Sequence, residues 1–465
     1  MNARSTNPPR VPRLTLLHAV WAGVDFDRYF RWRRTRDGDP FFVRFPGFGA
    51  VLFTGTSAGA TELFRAPREI LTPPRPNPIE PLVGSASLIL AHAQRHQRER
   101  TLLAPAFHRD RIRRYGSIVR DATLDEVAGA GSTPPWRPGT RIDARAAARA
   151  ITLRVILAAV FGVDDPARRA EYAAAVGAFL TAFTGPLMLV PALRHGVFGR
   201  APWDRFRAAR DRLDDLIEAD IARRRATGAT GTDLLGTLLT ATHADGAALS
   251  DGTALSDDDL RDHLRTMLVA GHETTATSLV WALFRLHRQP AALRRLRGEL
   301  AAAGDLDPDE SARLPYLDAV CRETLRLHPP VPIVLRRLTE PYTLRGVALA
   351  AGDTMGLALP LLHSDPALWP EPERFRPERF LVRHYGPFDF APYGGGHRRC
   401  LGAPLADYEF RIVLATLLSR VVPALSPRYA RGRIPLAVPH NIATGPHAGI
   451  TFDIVSACPR SASSK

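Results

Sequence analysis

The segment Tyr393-Gly394-Gly395-Gly396-His397-Arg398-Arg399-Cys400-Leu401-Gly402, with the apolar-periodic residues 405–421 behind it, constrains this chain more than any other feature. Three successive glycines let a tight loop run close to a large flat ligand. The loop then delivers a cysteine to the start of a helix, where free amides and the helix dipole favour a thiolate. Arg398 stands two residues before Cys400, placed to pair with a carboxylate of whatever the sulfur holds. Thiolate sulfur binds iron, so the loop suggests haem. The competing reading is a buried structural cysteine beside a glycine turn.

The rest of the chain must supply a pocket around that loop. With 465 residues, 45% of them hydrophobic and 23% charged, it has the composition of a globular protein able to bury a sizeable core. Helical spacing recurs at residues 151–161, 203–225 and, longest, 256–289. Residues 41–45 and 50–54 flank Pro46-Gly47-Phe48-Gly49 as a hairpin, and residues 342–359 read as strand, turn, strand. The fold class is therefore mainly α with small β-sheets. Loops at 129–139 and 227–231 are too short for domain linkers, so residues 1–465 are expected to form one catalytic domain. The proline-dense stretch 329–404 predicts irregular, rigidly held backbone.

Charge and cysteine content narrow the partners. The net charge is +15, carried almost wholly by arginine, since Lys465 is the only lysine. The arginines follow amphipathic stretches and form no basic arm or reading motif, so no nucleic-acid partner is expected. Cys321, Cys400 and Cys458 leave one thiol over in any disulfide scheme and lack metal-knuckle spacing, which fits a reducing, cytoplasmic setting. Residues 14–24 are too short to span a bilayer, and Gly185, Pro186 and Pro191 break the uncharged stretch 173–193. That stretch reads as a lid-forming helix plus loop.

Two further segments carry chemistry. Glu323 and Arg326 lie three apart on a helix expected over residues 315–327, with Arg379 of Pro377-Glu378-Arg379-Phe380 available to complete a network beneath the cysteine loop. By itself an i,i+3 pair is most often a surface salt bridge. Within the long helix, Ala270-Gly271-His272-Glu273-Thr274-Thr275 interrupts an apolar run. A glycine and a back-bonding threonine there allow a kink or groove that admits water beside an acid, and close helix packing is the plainer alternative. His272-Glu273 also begins a zinc-protease signature, but Ala276 occupies the place of the second histidine.

Taken in order, the helix motif with acid and alcohol, the E-x-x-R helix, the P-E-R-F segment and the G-x-R-x-C-x-G loop resemble the cytochrome P-450 family of soluble bacterial haem-thiolate monooxygenases. The resemblance covers nearly the whole chain. It implies haem b, iron protoporphyrin IX, between the long central helix and the cysteine-loop helix. It makes Cys400 the axial iron ligand, and Glu273 and Thr274 the pair that steers protons during oxygen activation, with Gly271 opening the oxygen groove. It makes Glu323, Arg326 and Arg379 structural, and assigns the haem carboxylates to His96, Arg100, Arg398 and Arg336, with Arg337 as the alternative to Arg336. His96 and Arg100 share a helix face at i,i+4; His92 and His96 share that spacing too, so a metal pair stands against a solvated face. Tyr393 departs from the phenylalanine usual in the family, and its hydroxyl needs a partner if buried.

The resemblance further implies O2 as co-substrate and electrons from external NAD(P)H. They would arrive through a ferredoxin or flavodoxin with its reductase, because no dinucleotide fingerprint is present. His397 and Arg399 would offer that partner a basic face. Residues 70–91, 179–190, 331–335 and 442–444 would select a lipophilic substrate of terpenoid, steroid, fatty acid or polyketide class, in a monomer. A peroxide-driven peroxygenase, a haem protein without turnover and a basic nucleic-acid-binding protein remain the rival readings.

Overall fold

Ser256 starts the longest helix by a reciprocal cap. Its hydroxyl accepts from the Asp259 amide at 3.1 Å, and the Asp259 carboxylate accepts from the Ser256 amide at 3.2 Å. The central helix Asp257–His287 then runs unbroken for 31 residues. A computed structural model describes residues 24–457, except 46–48, 131–132, 198, 229–232 and 245–254, together with residues 18, 21 and 22. Gly47, Phe48, Cys458, Lys465, most of residues 14–24 and parts of the loops 129–139 and 227–231 lie outside the described residues.

The central helix is almost wholly buried because other helices surround it. Helix Ala144–Phe161 packs along one side, and helices Ala403–Arg420 and Pro315–Leu327 along another. Trp281, Phe284, Leu317, Phe410 and Leu414 meet in that core. Each large apolar side chain taken from water there contributes about 1.5–3 kcal/mol. A second core, holding Tyr172, Phe179, Phe206 and Leu213, binds helices Pro166–Ala182 and Pro202–Thr227 to the other end of the central helix. The uncharged stretch 173–193 is divided as its Gly and Pro residues require. One helix ends at Ala182 and a short one, Gly185–Leu189, begins with Pro186 in its first turn.

A five-stranded sheet stands beside the helices in the order Phe41–Phe45, Gly49–Thr54, Thr354–Ala358, Ile333–Leu338, Leu71–Thr72. The predicted hairpin forms with Phe41 opposite Phe53 and Phe45 opposite Gly49. Residues 342–359 make three strands where two were expected. Tyr342–Leu344 and Val347–Leu349 pair with each other across Arg345 and Gly346, whose φ values of 50° and 80° make the two-residue turn that suits strand twist. Thr354–Ala358 leaves that hairpin and enters the large sheet, parallel to Gly49–Thr54. Strands Arg141–Asp143, Thr451–Ala457 and Val421–Leu425 form a third sheet. The hairpin Ala437–His440 with Ala443–Pro446 packs on the central helix.

Among the described residues no single helix is long and apolar enough to cross a membrane. Helices Ala144–Phe161 and Pro166–Ala182 pass that test only jointly, and they are bent 112° from each other.

Candidate cofactor and catalytic site

Close contact with Phe64 explains the glycines before the cysteine. At Gly396, φ is +66° and a Cβ would stand 2.5 Å from the Phe64 carbonyl oxygen; at Gly395 it would strike the Phe64 ring. Only glycine lets the loop pass there. The loop closes when the Cys400 amide donates to the Tyr393 carbonyl at 3.0 Å. Gly402, one residue later than a cap at Leu401 would have it, is the cap of helix Ala403–Arg420, and Pro404 still falls in the first turn, where its missing amide costs nothing. Cys400 borders open space while lying deep within protein mass, as a group facing a cavity does. Burial raises its thiol pKa, against the pull of the Gly402 and Ala403 amides and of Arg399 and Arg100. The helix start thus acts in the expected direction but does not win without a further positive charge near the sulfur.

Around the loop the structure gathers cations that have no anion. Arg398 donates to the carbonyls of Ile89 and Ala91. Arg336 donates to its neighbour Leu335 at 2.7 Å, while Arg337 reaches outward to the Arg75 carbonyl at 3.3 Å. Arg100 and His96 project from helix Ala93–Leu103, and the His96 ring meets His397 edge-on at 5.9 Å. Among the described residues, no carboxylate is ion-paired with Arg100, Arg336 or Arg398. Burial and then mutual repulsion therefore lower Arg336 to about 9, Arg398 to about 10 and His96 to about 3. Half-buried positive charges without an anion of their own favour an anionic ligand. The donor set fits a group that offers iron to the cysteine and carboxylates to these arginines. His92 caps the same helix, and among the described residues no group of three or more His, Cys, Asp or Glu could hold a metal ion by itself.

The middle of the central helix has one open face. From Asp262 to Leu283 every residue is buried except Ala270, Gly271 and Thr274, which share a face at helical spacing. Thr274 Oγ1 donates to the Ala270 carbonyl at 2.7 Å and Ser278 Oγ to the Thr274 carbonyl at 3.0 Å. Gly271 has a packing reason as well, since a Cβ there would stand 2.7 Å from Ile156 Cδ1. Glu273 lies on a different face. Its carboxylate is gripped at both oxygens by Arg149 of helix Ala144–Phe161, at 2.8 and 2.9 Å. His272 is buried beside it, its Nδ1 2.9 Å from Thr152 Oγ1 and its Nε2 3.5 Å from the Glu273 carboxylate. The structure brings Gly271 and Thr274 to one opening and holds Glu273 away from it.

Glu323, Arg326 and Arg379 do come together. Arg326 forks onto the Glu323 carboxylate at 2.7 and 2.8 Å, and Arg379 Nε lies 3.1 Å from the same group. The Arg326 guanidinium also donates to the His363 carbonyl at 2.7 Å, tying the helix to the proline-rich segment that leads to the cysteine loop.

Sequence reasoning missed two groups. Tyr393 donates to Asp407 at 2.6 Å, and Arg411 links Asp407 to Asp318; this is the partner the Tyr393 hydroxyl requires. Arg149 was also missed; it is one of three arginines, with Arg145 and Arg154, in the mainly apolar run 144–161, and nothing in the sequence singles it out.

With this geometry in hand, comparisons with known proteins agree on one family. The sequence profile for Cytochrome P450 matches residues 8–427. A putative cytochrome P450 135B1 of Mycobacterium tuberculosis is 35% identical over 423 residues, covering 89% of this chain and 85% of that protein. A putative cytochrome P450 135A1 of the same organism is 30% identical over 458 residues, covering 96% and 94%. Among solved structures, retinoic acid bound cyanobacterial CYP120A1 matches in fold with a TM-score of 0.78 at 24% identity, covering 92% of this chain and 93% of that one.

Proposed function

Because this chain belongs to the cytochrome P450 family and is one of its monooxygenases, we propose that it inserts one oxygen atom from O2 into a lipophilic small molecule, using haem b held through Cys400. The family implies a haem-thiolate centre and a redox partner. The observation that carries the proposal is the half-buried cluster Arg100, Arg336 and Arg398, joined by buried His96, with which no carboxylate is ion-paired among the described residues. These are the side chains that would hold the two haem carboxylates. Because Arg337 is engaged with the Arg75 carbonyl, Arg336 is the better candidate of the two.

When bound, the haem supplies oxygen activation, with the thiolate favouring O–O cleavage. The chain's own part is to exclude bulk water and move protons. Thr274 holds its hydroxyl on the open face, where exchanging the Ala270 carbonyl for a water turns it toward the cavity. Glu273 is the nearest acid in sequence, and it joins a proton path only on leaving Arg149. Arg399, exposed beside the cysteine loop, suits docking of an acidic ferredoxin or flavodoxin. Ile442 packs against the apolar cluster that includes Leu82, Phe179 and Met267, surroundings that suit terpenoid, steroid, fatty acid or polyketide substrates. A peroxide-driven reaction is the second reading, and the engagement of Glu273 by Arg149 is the observation in its favour.

The test is the reduced carbon monoxide difference spectrum of purified protein. A red-shifted Soret band that is lost in Cys400→Ser supports the reading; colourless protein, or an unchanged band in the variant, overturns it. Peroxide-supported turnover that survives Thr274→Ala would favour the second reading.

A further inference from the structure

Asp262, Arg265 and Thr266 stand at i, i+3 and i+4 of the central helix and so share one face. They are only 4%, 3% and 1% exposed, and polar side chains so buried need their hydrogen bonds made. Many of their partners lie in one short stretch, residues 82–87. Arg265 Nε donates to the Leu82 carbonyl at 3.1 Å. Thr266 Oγ1 meets the Val83 carbonyl at 3.1 Å and Ser87 Oγ at 2.8 Å. The Asp262 carboxylate accepts from the Ala86 amide at 3.0 Å and from Arg265 at 2.7 Å. It also fills the space over Gly84, where φ is +85° and a Cβ would stand 2.1 Å from the carboxylate, so only glycine fits.

The stretch continues into a turn that is held from the side of the cysteine loop. Ser87 is fully buried. Its Oγ accepts from the Ile89 amide at 3.2 Å, and its carbonyl from the Leu90 and Ala91 amides at 2.9 and 3.0 Å. Arg398 donates to the Ile89 and Ala91 carbonyls, and Arg95 to the Ala86 carbonyl at 2.7 Å. Residues 84–91 form neither helix nor strand, yet they are pinned to the central helix, to helix Ala93–Leu103 and to the cysteine loop. On this frame Ile89 stays 37% exposed, and Leu90, with Phe107, Leu401 and Ile442, packs against the second core.

We infer that Thr266 and Asp262 are specificity-determining positioning residues, which lock residues 82–91 into a preformed wall of the substrate cavity. A free loop of this length closes around ligands of different sizes, losing conformational entropy each time it does so. A pinned one presents a fixed shape and rejects molecules too bulky for the space it leaves. The rigidity of the wall follows from its hydrogen bonds; its part in choosing a substrate rests on the monooxygenase reading.

Two measurements on the ferric, haem-loaded protein separate these parts. In hydrogen–deuterium exchange read by mass spectrometry, residues 82–91 should exchange as slowly as the central helix. In Thr266→Val they should exchange about tenfold faster, the effect of losing one buried hydrogen bond. Thr266→Ser keeps the hydroxyl and should behave as the wild type. Titration with imidazole and with clotrimazole, followed by the Soret shift, should give Thr266→Val an unchanged affinity for imidazole and several-fold tighter binding of the bulky azole. Ser87→Ala breaks the same contact from the other side and replaces Thr266→Val if that variant loads too little haem. Fast exchange of residues 82–91 in the wild type, or no change in the variants, overturns the pinned wall. An equal change in the affinities of both azoles, or none, overturns its role in selection. Protein that takes up no haem defeats the monooxygenase reading instead, and leaves the exchange result standing.

Discussion

Glu273 and Arg149 form a two-point ion pair between the central helix and helix Ala144–Phe161, with 2% of the carboxylate side chain and 36% of the arginine exposed. The acid next to Thr274 in sequence is therefore a cross-link between helices in the folded chain. Removing the arginine leaves a buried carboxylate beside neutral His272, which burial lowers to about 3, with Arg145 as the cation still in electrostatic range. Arg149→Leu should cost about 1–3 kcal/mol, less than a fully buried pair because the arginine is partly solvated. Adding Glu273→Gln should recover part of that loss, and urea unfolding of the two single variants and the double variant measures the coupling.

Thr274 is the one hydroxyl on the open face of the central helix, held by the Ala270 carbonyl. Thr274→Ala removes a single back-bonded group and should leave stability within about 0.5 kcal/mol. Its effect should appear in chemistry, as a several-fold rise in hydrogen peroxide released per NAD(P)H consumed with a redox partner. An unchanged peroxide yield would remove Thr274 from the proton path.

How much of this was legible in the sequence depended on how local each cause is. The loop at Gly394–Cys400 and the E-x-x-R helix announce themselves because a few adjacent residues carry both backbone and chemistry. Glu323 and Arg326 are three apart in one helix, so their pairing was written in the spacing. Arg379 was assigned to them through the order of motifs. Arg149 and Glu273 are 124 residues apart, and no local pattern shows which face of the central helix meets which neighbour. Adjacent helical residues point about 100° apart, so proximity of Glu273 and Thr274 in sequence could not reveal that they face different ways. The third strand in residues 342–359 was hidden for a related reason. A turn at Arg345 and Gly346 makes a hairpin too short to register as an alternating pattern.

The Glu323 carboxylate serves two guanidiniums, and all three side chains are nearly inaccessible to water. Glu323→Ala would strand two buried cations, a loss of at least about 3–5 kcal/mol. We expect little soluble haem-loaded protein from that variant, read as the ratio of Soret to protein absorbance. Arg379→Lys keeps the charge but loses the fork that also reaches the Pro370 carbonyl at 3.1 Å, and should fall between the two.

His363 sets an acid limit on the same region. It is fully buried, and its Nε2 accepts from the Ala391 amide at 3.1 Å, so the ring is neutral with its proton on Nδ1. Burial, and then Arg326, lower it from 6.5 to about 3. A folded-state pKa below the unfolded one means that the unfolded chain takes up the proton first. The stabilisation is whole above about pH 6.5 and is lost as pH falls toward 3. Between about pH 7.5 and about pH 5.5 this one imidazole should remove about 1.4 kcal/mol of stability. Half-buried His287, lowered to about 4 mainly by desolvation, adds to the slope. His363→Gln keeps an acceptor for Ala391 but cannot titrate, so its urea midpoint should fall less steeply over that interval than that of the wild type. Parallel slopes would mean that the ring is already protonated in the folded protein, or that acid opens the structure elsewhere first.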